Sequence, residues 1–204
     1  MSKFTEYVGS QLSNPRGLGG KIVSLVQNIA NSQLYRNAVA QVNVSNDEKL
    51  LDVGYGNGHL LKRIYKKCRP DMYGIDISDD AKVMATKRNR KAELAGKLHL
   101  QVGDCCALPF DDEMFAAVTT INTVYFWSDT VKGLSEIRRC LKNGGSFYNV
   151  AYTKEFLDTI AYTKYGFKIF KPDELVQLGK KAGFEKIEVK EIAKGRSFIV
   201  VYTK

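Results

Sequence analysis

The stretch that decides the fold is residues 50–61, Leu-Leu-Asp-Val-Gly-Tyr-Gly-Asn-Gly-His-Leu-Leu. Its apolar first part ends in three glycines spaced two residues apart, Gly54, Gly56 and Gly58. From His59 to Cys68 the apolar residues recur at a period of about 3.6, which predicts an amphipathic helix after a buried strand. Glycine in the turn permits positive φ and lets a ligand approach the backbone closely. Such a turn predicts a binding site for a nucleotide-like ligand at the edge of an α/β sheet.

The spacing of the glycines separates several classes of nucleotide-binding protein. A dinucleotide fingerprint, G-x-G-x-x-G, requires a glycine where this chain has His59, and the Lys-Ser/Thr pair of a nucleoside-triphosphate loop is absent. The pattern G-x-G-x-G instead resembles motif I of the class I S-adenosylmethionine-dependent methyltransferases, with an aspartate at their acidic position. The resemblance implies S-adenosyl-L-methionine as cofactor, bound by residues of this motif: Asp52, Gly54, Tyr55 and Gly56.

A second strand is predicted over Met72 to Ile77, and Asp76 stands near its end, 20 residues beyond Gly56. In doubly wound sheets a carboxylate at this place lies beside the first loop and accepts hydrogen bonds from both ribose hydroxyls. The alternative is an incidental acidic residue in the run Ile-Asp-Ile-Ser. We expect Asp76 to bind the ribose and Ile77 to lie against the adenine face.

The segment after the third predicted strand, Gly103 to Phe110, also resembles these methyltransferases. It matches their pattern Gly-Asp-Ala-x-x-Leu-Pro-Phe, with Cys105 in the usual place of the alanine. The resemblance implies that Asp104 and the backbone N–H of Cys105 bind the adenine edge, because a carboxylate accepts from the exocyclic amine and an N–H donates to a ring nitrogen. Redox or nucleophilic work by the Cys105–Cys106 pair is the weaker interpretation, since no basic partner is near in sequence.

The segment after the fourth predicted strand is expected to face the methionine part of the cofactor. In the family that the chain resembles, this position runs beside that part and opens towards the substrate. Asn122 is expected to contact the cofactor there. Tyr125, Phe126 and Trp127 are expected to shape the wall near the methyl group, with the alternative that some of them belong to the core. No catalytic residue is assigned; a general base is needed only if the acceptor loses a proton early.

The composition favours a single domain of ordinary character. The chain has 204 residues and a net charge of +9. Its four cysteines lack C-x-x-C spacing, so we expect no metal site and a cytoplasmic location. It shows neither a signal peptide nor an apolar stretch near the roughly 20 residues that span a bilayer. The basic residues sit mainly on predicted helix faces, which favours solvated surfaces and leaves nucleic acid as a less favoured partner.

The order of predicted elements indicates an α/β fold, a Rossmann-like doubly wound sheet with helices on both faces. The sheet is mostly parallel, with an antiparallel strand from a C-terminal hairpin. We divide the single domain, 1–204, into an N-terminal helical arm (1–45), a cofactor-binding core (46–151) and a C-terminal part (152–204). The C-terminal part holds an aromatic segment, Tyr152 to Phe170, which is expected to form an apolar wall for the substrate. The further predicted elements are a loop at 14–20, helices at 22–29, 32–42, 78–95, from 128 and from 172 to 183, strands at 97–102, 115–121 and 146–151, a turn at 142–145, and a hairpin of 184–191 with 196–203.

Three functions fit this pattern. The leading one is methyl transfer to a small molecule. A nucleic-acid amino-methyltransferase is the alternative, because Asn122 and Tyr125 match the ends of an Asn-Pro-Pro-Tyr motif, although both prolines are missing. A non-catalytic protein that binds the same cofactor would carry identical motifs. A nicotinamide dehydrogenase is disfavoured by His59, and neither the acceptor nor the oligomeric state is predicted.

Overall fold

The computed structural model describes residues 31–164 and 167–204. The predicted loop at 14–20 and the helix at 22–29 lie outside these ranges, while the second helix of the arm is present. The strands are β1 Lys49–Val53, β2 Asp71–Asp76, β3 Leu98–Val102, β4 Phe115–Ile121, β5 Leu141–Tyr152, β6 Lys186–Ala193 and β7 Ser197–Thr203. The helices are α1 Ser32–Gln41, α2 His59–Lys67, α3 Asp79–Arg88, α4 Arg90–Leu94, α5 Thr130–Cys140, α6 Lys154–Asp158 and α7 Pro172–Lys181, with short 3-10 helices at Val124–Phe126 and Ala161–Lys164.

The strands form one seven-stranded sheet in the order β3-β2-β1-β4-β5-β7-β6. Neighbouring strands from β3 to β5 are parallel, and β7 is antiparallel to both β5 and β6. The prediction of a mostly parallel sheet with an antiparallel C-terminal hairpin is therefore confirmed. The strand order reverses between β1 and β4, and the crevice at such a switch point is where open α/β sheets bind ligands.

Hydrophobic cores lie on both faces of the sheet. On one face, α5 and α7 contribute Leu134 and Leu175, which are fully buried. On the other face, the core includes Leu34 from α1, Leu61 from α2 and Ala85 from α3. Helices therefore cover both faces, as the alternating pattern predicts.

The predicted single helix over 78–95 is wrong, because the chain forms two helices, α3 and α4, separated at Asn89. Its beginning is as expected: the Ser78 side chain accepts a hydrogen bond from the backbone N–H of Ala81. At the break, the Asn89 side-chain amide donates to the backbone oxygens of Gly58, at 3.0 Å, and Ala85, at 2.9 Å. A contact with the glycine turn of β1 thus ends α3.

The fifth strand begins at Leu141, not at residue 146, and includes the segment predicted as a turn. Leu141 pairs with Phe115, and regular pairing with β4 resumes at Ser146. The irregular segment is joined to the end of β7, since the backbone N–H of Gly144 donates to the oxygen of Lys204 at 2.8 Å. This link explains why the strand continues through a glycine-rich turn. No helix in the described ranges is long and apolar enough to cross a membrane.

Candidate cofactor site

A cavity of about 270 Å³ lies at the carboxyl ends of β1, β2 and β4. Its wall is built by the segments that follow β1 to β4 and by the region of α1. Eight of the nine residues predicted to bind a cofactor line it: Gly54, Tyr55, Gly56, Asp76, Ile77, Asp104, Cys105 and Asn122. The ninth, Asp52, is not part of the wall.

The three glycines after β1 meet different structural needs. Gly54 has φ +72°, and a Cβ there would come within 2.4 Å of Thr123 Cγ2. Gly58 has the same φ and packs against α3, where a Cβ would lie 2.9 Å from the Ala85 backbone. Gly56 has φ +50° and nothing within 4 Å of a Cβ position, so its surroundings stay open for a ligand.

Asp76 connects the end of β2 to the glycine turn. One carboxylate oxygen accepts from the backbone N–H of Gly56 at 2.8 Å, and the other accepts from that of Ser78 at 3.0 Å. Burial raises the pKa of Asp76, and these N–H bonds act in the opposite direction. A carboxylate has about four lone-pair sites, so Asp76 can also accept hydrogen bonds from two hydroxyl groups of a ligand.

Asp52 lies behind the cavity wall and is only 2% exposed. Its Oδ1 accepts a hydrogen bond of 2.8 Å from the hydroxyl of Thr119 on β4. Burial raises the pKa of Asp52 to about 7, the Thr119 bond lowers it, and Asp76 raises it further. Asp52 therefore braces β1 against β4, and a direct cofactor contact by this residue stays a prediction.

Apolar and polar groups meet at the end of the cavity formed by β2 and β3. Ile77 is 54% exposed although it is aliphatic, which leaves a surface for a planar ring. Asp104 Oδ1 accepts from the backbone N–H of Cys106 at 2.9 Å. A carboxylate oxygen of Asp104 and the sulfur atoms of Cys105 and Cys106 lie within 4.8 Å of one another, close enough to be considered as metal ligands. Burial, first of all, raises the pKa of Cys105, so its thiol stays protonated and is a poor metal ligand.

The segment after β4 differs partly from the sequence prediction. Phe126 and Trp127 line the cavity as expected, but Tyr125 is buried in the core at 1% exposure. The Tyr125 hydroxyl accepts from the backbone N–H of Tyr152 at 2.7 Å and donates to Asn122 Oδ1 at 3.3 Å. Asn122 has φ +57°, which is uncommon outside glycine. Tyr125 thus supports Asn122 from behind.

The sequence prediction named no residue of the arm, yet Asn31 and Tyr35 line the cavity. From the sequence, a helical arm before the first strand can either close over a ligand or simply pack against the sheet, and nothing in it singles out these two residues. The aromatic segment contributes indirectly, because the Tyr152 hydroxyl donates a hydrogen bond to Asn31 Oδ1. Phe167 lies behind Phe126, with ring centroids 4.6 Å apart. Among the described residues of 152–170, none belongs to the cavity wall.

A glycine of α5 supports the cavity from the rear. A Cβ at Gly133 would lie 2.9 Å from Trp127 Cε3 and 3.4 Å from the Sγ of Cys105. Both neighbours line the cavity. The absence of a side chain at Gly133 therefore allows the indole ring to sit close to α5.

Comparisons with known proteins agree with this architecture. Residues 51–149 match the family described as a methyltransferase domain. Over 112 residues, 54% of the chain, it is 31% identical to the ubiquinone/menaquinone biosynthesis C-methyltransferase UbiE of Geobacter sulfurreducens and covers 44% of that protein. It is 24% identical to the uncharacterized methyltransferase YdaC of Bacillus subtilis over 82% of the chain and 88% of that protein. The chain spans about half the length of the quinone methyltransferases that it matches.

A solved structure shares the fold. The S-adenosylmethionine-dependent methyltransferase from Thermotoga maritima superposes with a TM-score of 0.71 at 19% identity, covering 98% of this chain and 99% of that one. At this identity the similarity establishes the fold alone. With the family match to the strands and loops that build the cavity, it leads to one conclusion: residues 51–149 of the chain form a methyltransferase domain.

Proposed function

We propose that this protein transfers the methyl group of S-adenosylmethionine to a small-molecule acceptor. The observation that carries the proposal is the position of Asp76 and Asp104, which line one cavity together with the glycine turn. Two carboxylates on neighbouring strand ends can recognise a ribose and an adenine amine at once. The match of residues 51–149 to the methyltransferase domain supports the same activity.

The residues of the cavity fit the parts of this cofactor. Asp76 would accept bonds from the ribose hydroxyls, and Ile77 would cover the adenine, whose edge would contact Asp104 and the Cys105 N–H. Asn122 would contact the methionine part. When bound, S-adenosylmethionine supplies an electrophilic methyl group on its sulfonium sulfur. The open space above Gly56 is the feature that admits such a ligand, because a side chain there would occupy it.

The protein's task in this reaction is mainly to align the acceptor. Holding two reactants in a reactive geometry can supply roughly 7–11 kcal/mol of the barrier. Four aromatic residues line the cavity, Tyr35, Tyr55, Phe126 and Trp127, which favours an acceptor with an apolar body. The UbiE proteins are named for quinone biosynthesis, so a quinol belongs in the first panel of acceptors.

Binding and transfer can be tested separately on the purified chain. Isothermal titration with S-adenosylhomocysteine should show one site per chain. Incubation with methyl-labelled S-adenosylmethionine and a panel of quinols, phenols and amines should then label at least one acceptor. If equilibrium dialysis and thermal shift show no binding of either cofactor form, the assignment of the cavity is wrong.

Nucleic acid is the second candidate substrate, and it rests on the net charge of +9 and on Asn122. The arrangement of Tyr125 speaks against it, because this ring is buried and its hydroxyl is bonded to Tyr152. A ring in that position cannot stack on a flipped base. A gel shift with RNA that weakens steeply with added salt would restore this candidate.

A cofactor-binding protein without catalysis would have the same cavity. Binding of S-adenosylhomocysteine with no transfer to any acceptor in the panel would favour that role. We also propose a cytoplasmic location, which is supported by four free cysteines, Cys68, Cys105, Cys106 and Cys140.

A further inference from the structure

Two arginines meet one histidine beside the cavity. His59 is the first residue of α2, and its Nε2 lies 2.8 Å from the Nε of Arg63. Its Nδ1 lies 2.9 Å from an Nη atom of Arg88, which comes from α3. The His59 ring also contacts Tyr35, with centroids 4.8 Å apart, and Tyr35 lines the cavity. We call His59, Arg63 and Arg88 the His59 cluster.

The donors of the His59 cluster exceed its acceptors. A neutral imidazole has one acceptor nitrogen and one N–H, and a protonated imidazole has no acceptor. Both ring nitrogens face guanidinium groups, which only donate, so one of the two contacts places a donor against a donor. Within residues 31–164 and 167–204, no carboxylate forms an ion pair with Arg63 or Arg88.

The electrostatics of the cluster point the same way. The pKa of His59 is lowered to about 4, first by burial and then by the positive charges of Arg63, Arg88 and Lys62. Burial also lowers the pKa of Arg88. Helix α2, nine residues long, has no side-chain cap and no acidic residue in its first turn. Two half-buried cations next to an uncompensated helix N-terminus form a strongly positive site.

We infer that the His59 cluster binds a carboxylate or phosphate group, held between Arg63 and Arg88 next to Tyr35. An anion there would accept the hydrogen bonds that His59 cannot, and it would offset both guanidinium charges. The group could come from the amino-acid end of the ligand in the cavity or from an acidic acceptor. Only the identity of this source rests on the proposed methyl transfer, because the anion site itself is a property of the three side chains.

The site can be tested with inorganic phosphate on the full chain, without cofactor. Isothermal titration should detect binding, and Arg88→Gln and Arg63→Gln should each weaken it by about 10- to 100-fold, the range for a lost charge-assisted hydrogen bond. Arg90→Gln is the matched control, because Arg90 is exposed on α4 and its loss changes the net charge equally. Its affinity should stay within about twofold of the parent, since exposed charges interact weakly.

A second readout guards against variants that fold poorly. The chain has two histidines, so proton NMR can follow the His59 ring against His99. Phosphate should raise the apparent pKa of His59 in the parent, whereas His99 should not respond. Arg88→Lys, which keeps the charge without the planar fork, should bind phosphate with intermediate affinity. No binding to the parent, or equal weakening in all three glutamine variants, would overturn the inference.

The source of the anion is decided by two ligands that differ at one end. 5′-Methylthioadenosine lacks the amino-acid part of S-adenosylhomocysteine. If the cofactor supplies the anion, Arg88→Gln will weaken the binding of S-adenosylhomocysteine but not that of methylthioadenosine. Phosphate will then compete with S-adenosylhomocysteine. If an acceptor supplies it, phosphate will bind to the S-adenosylhomocysteine complex. Should neither nucleoside bind, the proposed function fails while the phosphate titration still decides the anion site.

Discussion

The carboxylate of Asp76 accepts a 2.8 Å hydrogen bond from the backbone N–H of Gly56. This bond joins the end of β2 to the middle of the turn that follows β1. It holds the carboxylate and the open glycine in one arrangement. A preformed site of this kind loses less conformational entropy when it binds.

Replacing Asp76 should therefore weaken cofactor binding by more than the loss of its charge alone would. Asp76→Ala removes the acceptor that we propose for the ribose hydroxyls and the acceptor of the Gly56 N–H, so we expect the affinity for S-adenosylhomocysteine to fall about 10- to 100-fold. Calorimetric titration measures the change. Asp79→Ala, an exposed position in the first turn of α3 with the same charge change, is the control. Equal losses in both variants would contradict a ribose contact.

The close packing of Gly58 predicts a loss of stability on substitution. Gly58 and Gly96 have similar positive φ values, +72° and +67°, but only Gly58 has atoms within 4 Å of a Cβ position. Gly96→Ala should cost about 1–2 kcal/mol from the backbone alone, and Gly58→Ala about 2–5 kcal/mol because it also meets Ala85. Urea unfolding measures both free energies. A Gly58 variant no less stable than the Gly96 variant would show that α3 moves aside freely.

Asp52 should make the stability depend on pH. Its pKa in the folded protein is about 7 because the group is buried, and that of an unfolded aspartate is about 3.9. Between these pH values Asp52 binds a proton in the folded state but not in the unfolded state. The stabilisation that this proton gives the folded state is therefore present at low pH and is lost as the pH rises towards 7. Asp52→Asn keeps an oxygen acceptor for Thr119 and does not titrate.

The free energy of unfolding of Asp52→Asn, relative to that of the parent, should therefore be about 2–3 kcal/mol higher at pH 8 than at pH 5. Urea unfolding of both proteins at the two pH values gives this difference. The contributions of the other titrating groups cancel, because both proteins contain them. His59 works in the opposite direction in the parent, because its pKa is lowered to about 4, and it is common to both proteins. A difference that does not change with pH would show that Asp52 is ionised throughout.

The Tyr125 hydroxyl should affect both stability and the site. Tyr125→Phe leaves the backbone N–H of Tyr152 without this acceptor, which should cost about 1–3 kcal/mol, and it removes the support of Asn122. Tyr148→Phe is the matched control, because that hydroxyl accepts a bond of 3.2 Å from the backbone N–H of Asn43. Urea unfolding should show a loss of stability in both variants. Only Tyr125→Phe should weaken the binding of S-adenosylhomocysteine. Unchanged affinity in both variants would limit Tyr125 to a structural role.

Much of the fold follows from local sequence patterns. The glycine turn, the carboxylate at the end of β2 and the alternation of strands and helices each depend on a few neighbouring residues, and the structure confirms the sheet that they predict. Eight of the nine predicted binding residues share one cavity for the same reason. Asp52 is the exception, because nothing in the residues of β1 indicates that its carboxylate will be buried against Thr119 of β4.

The features that sequence could not supply depend on contacts between distant segments. Asn89 ends α3 because its amide bonds to Gly58, 31 residues away. Tyr125 turns into the core because it meets the backbone of Tyr152, 27 residues later. In the sequence it is simply one of three adjacent aromatic residues. The His59 cluster likewise brings Arg88 to α2 across 29 positions.

The contact between Gly133 and the indole of Trp127 means that the cavity can be reshaped from its outer side. A methyl group at position 133 would collide with the ring at 2.9 Å and shift it, while every side chain that faces the ligand keeps its identity. Substitution at this one helical position thus offers evolution, or an engineer, a way to change the shape of the cavity without replacing any residue that lines it.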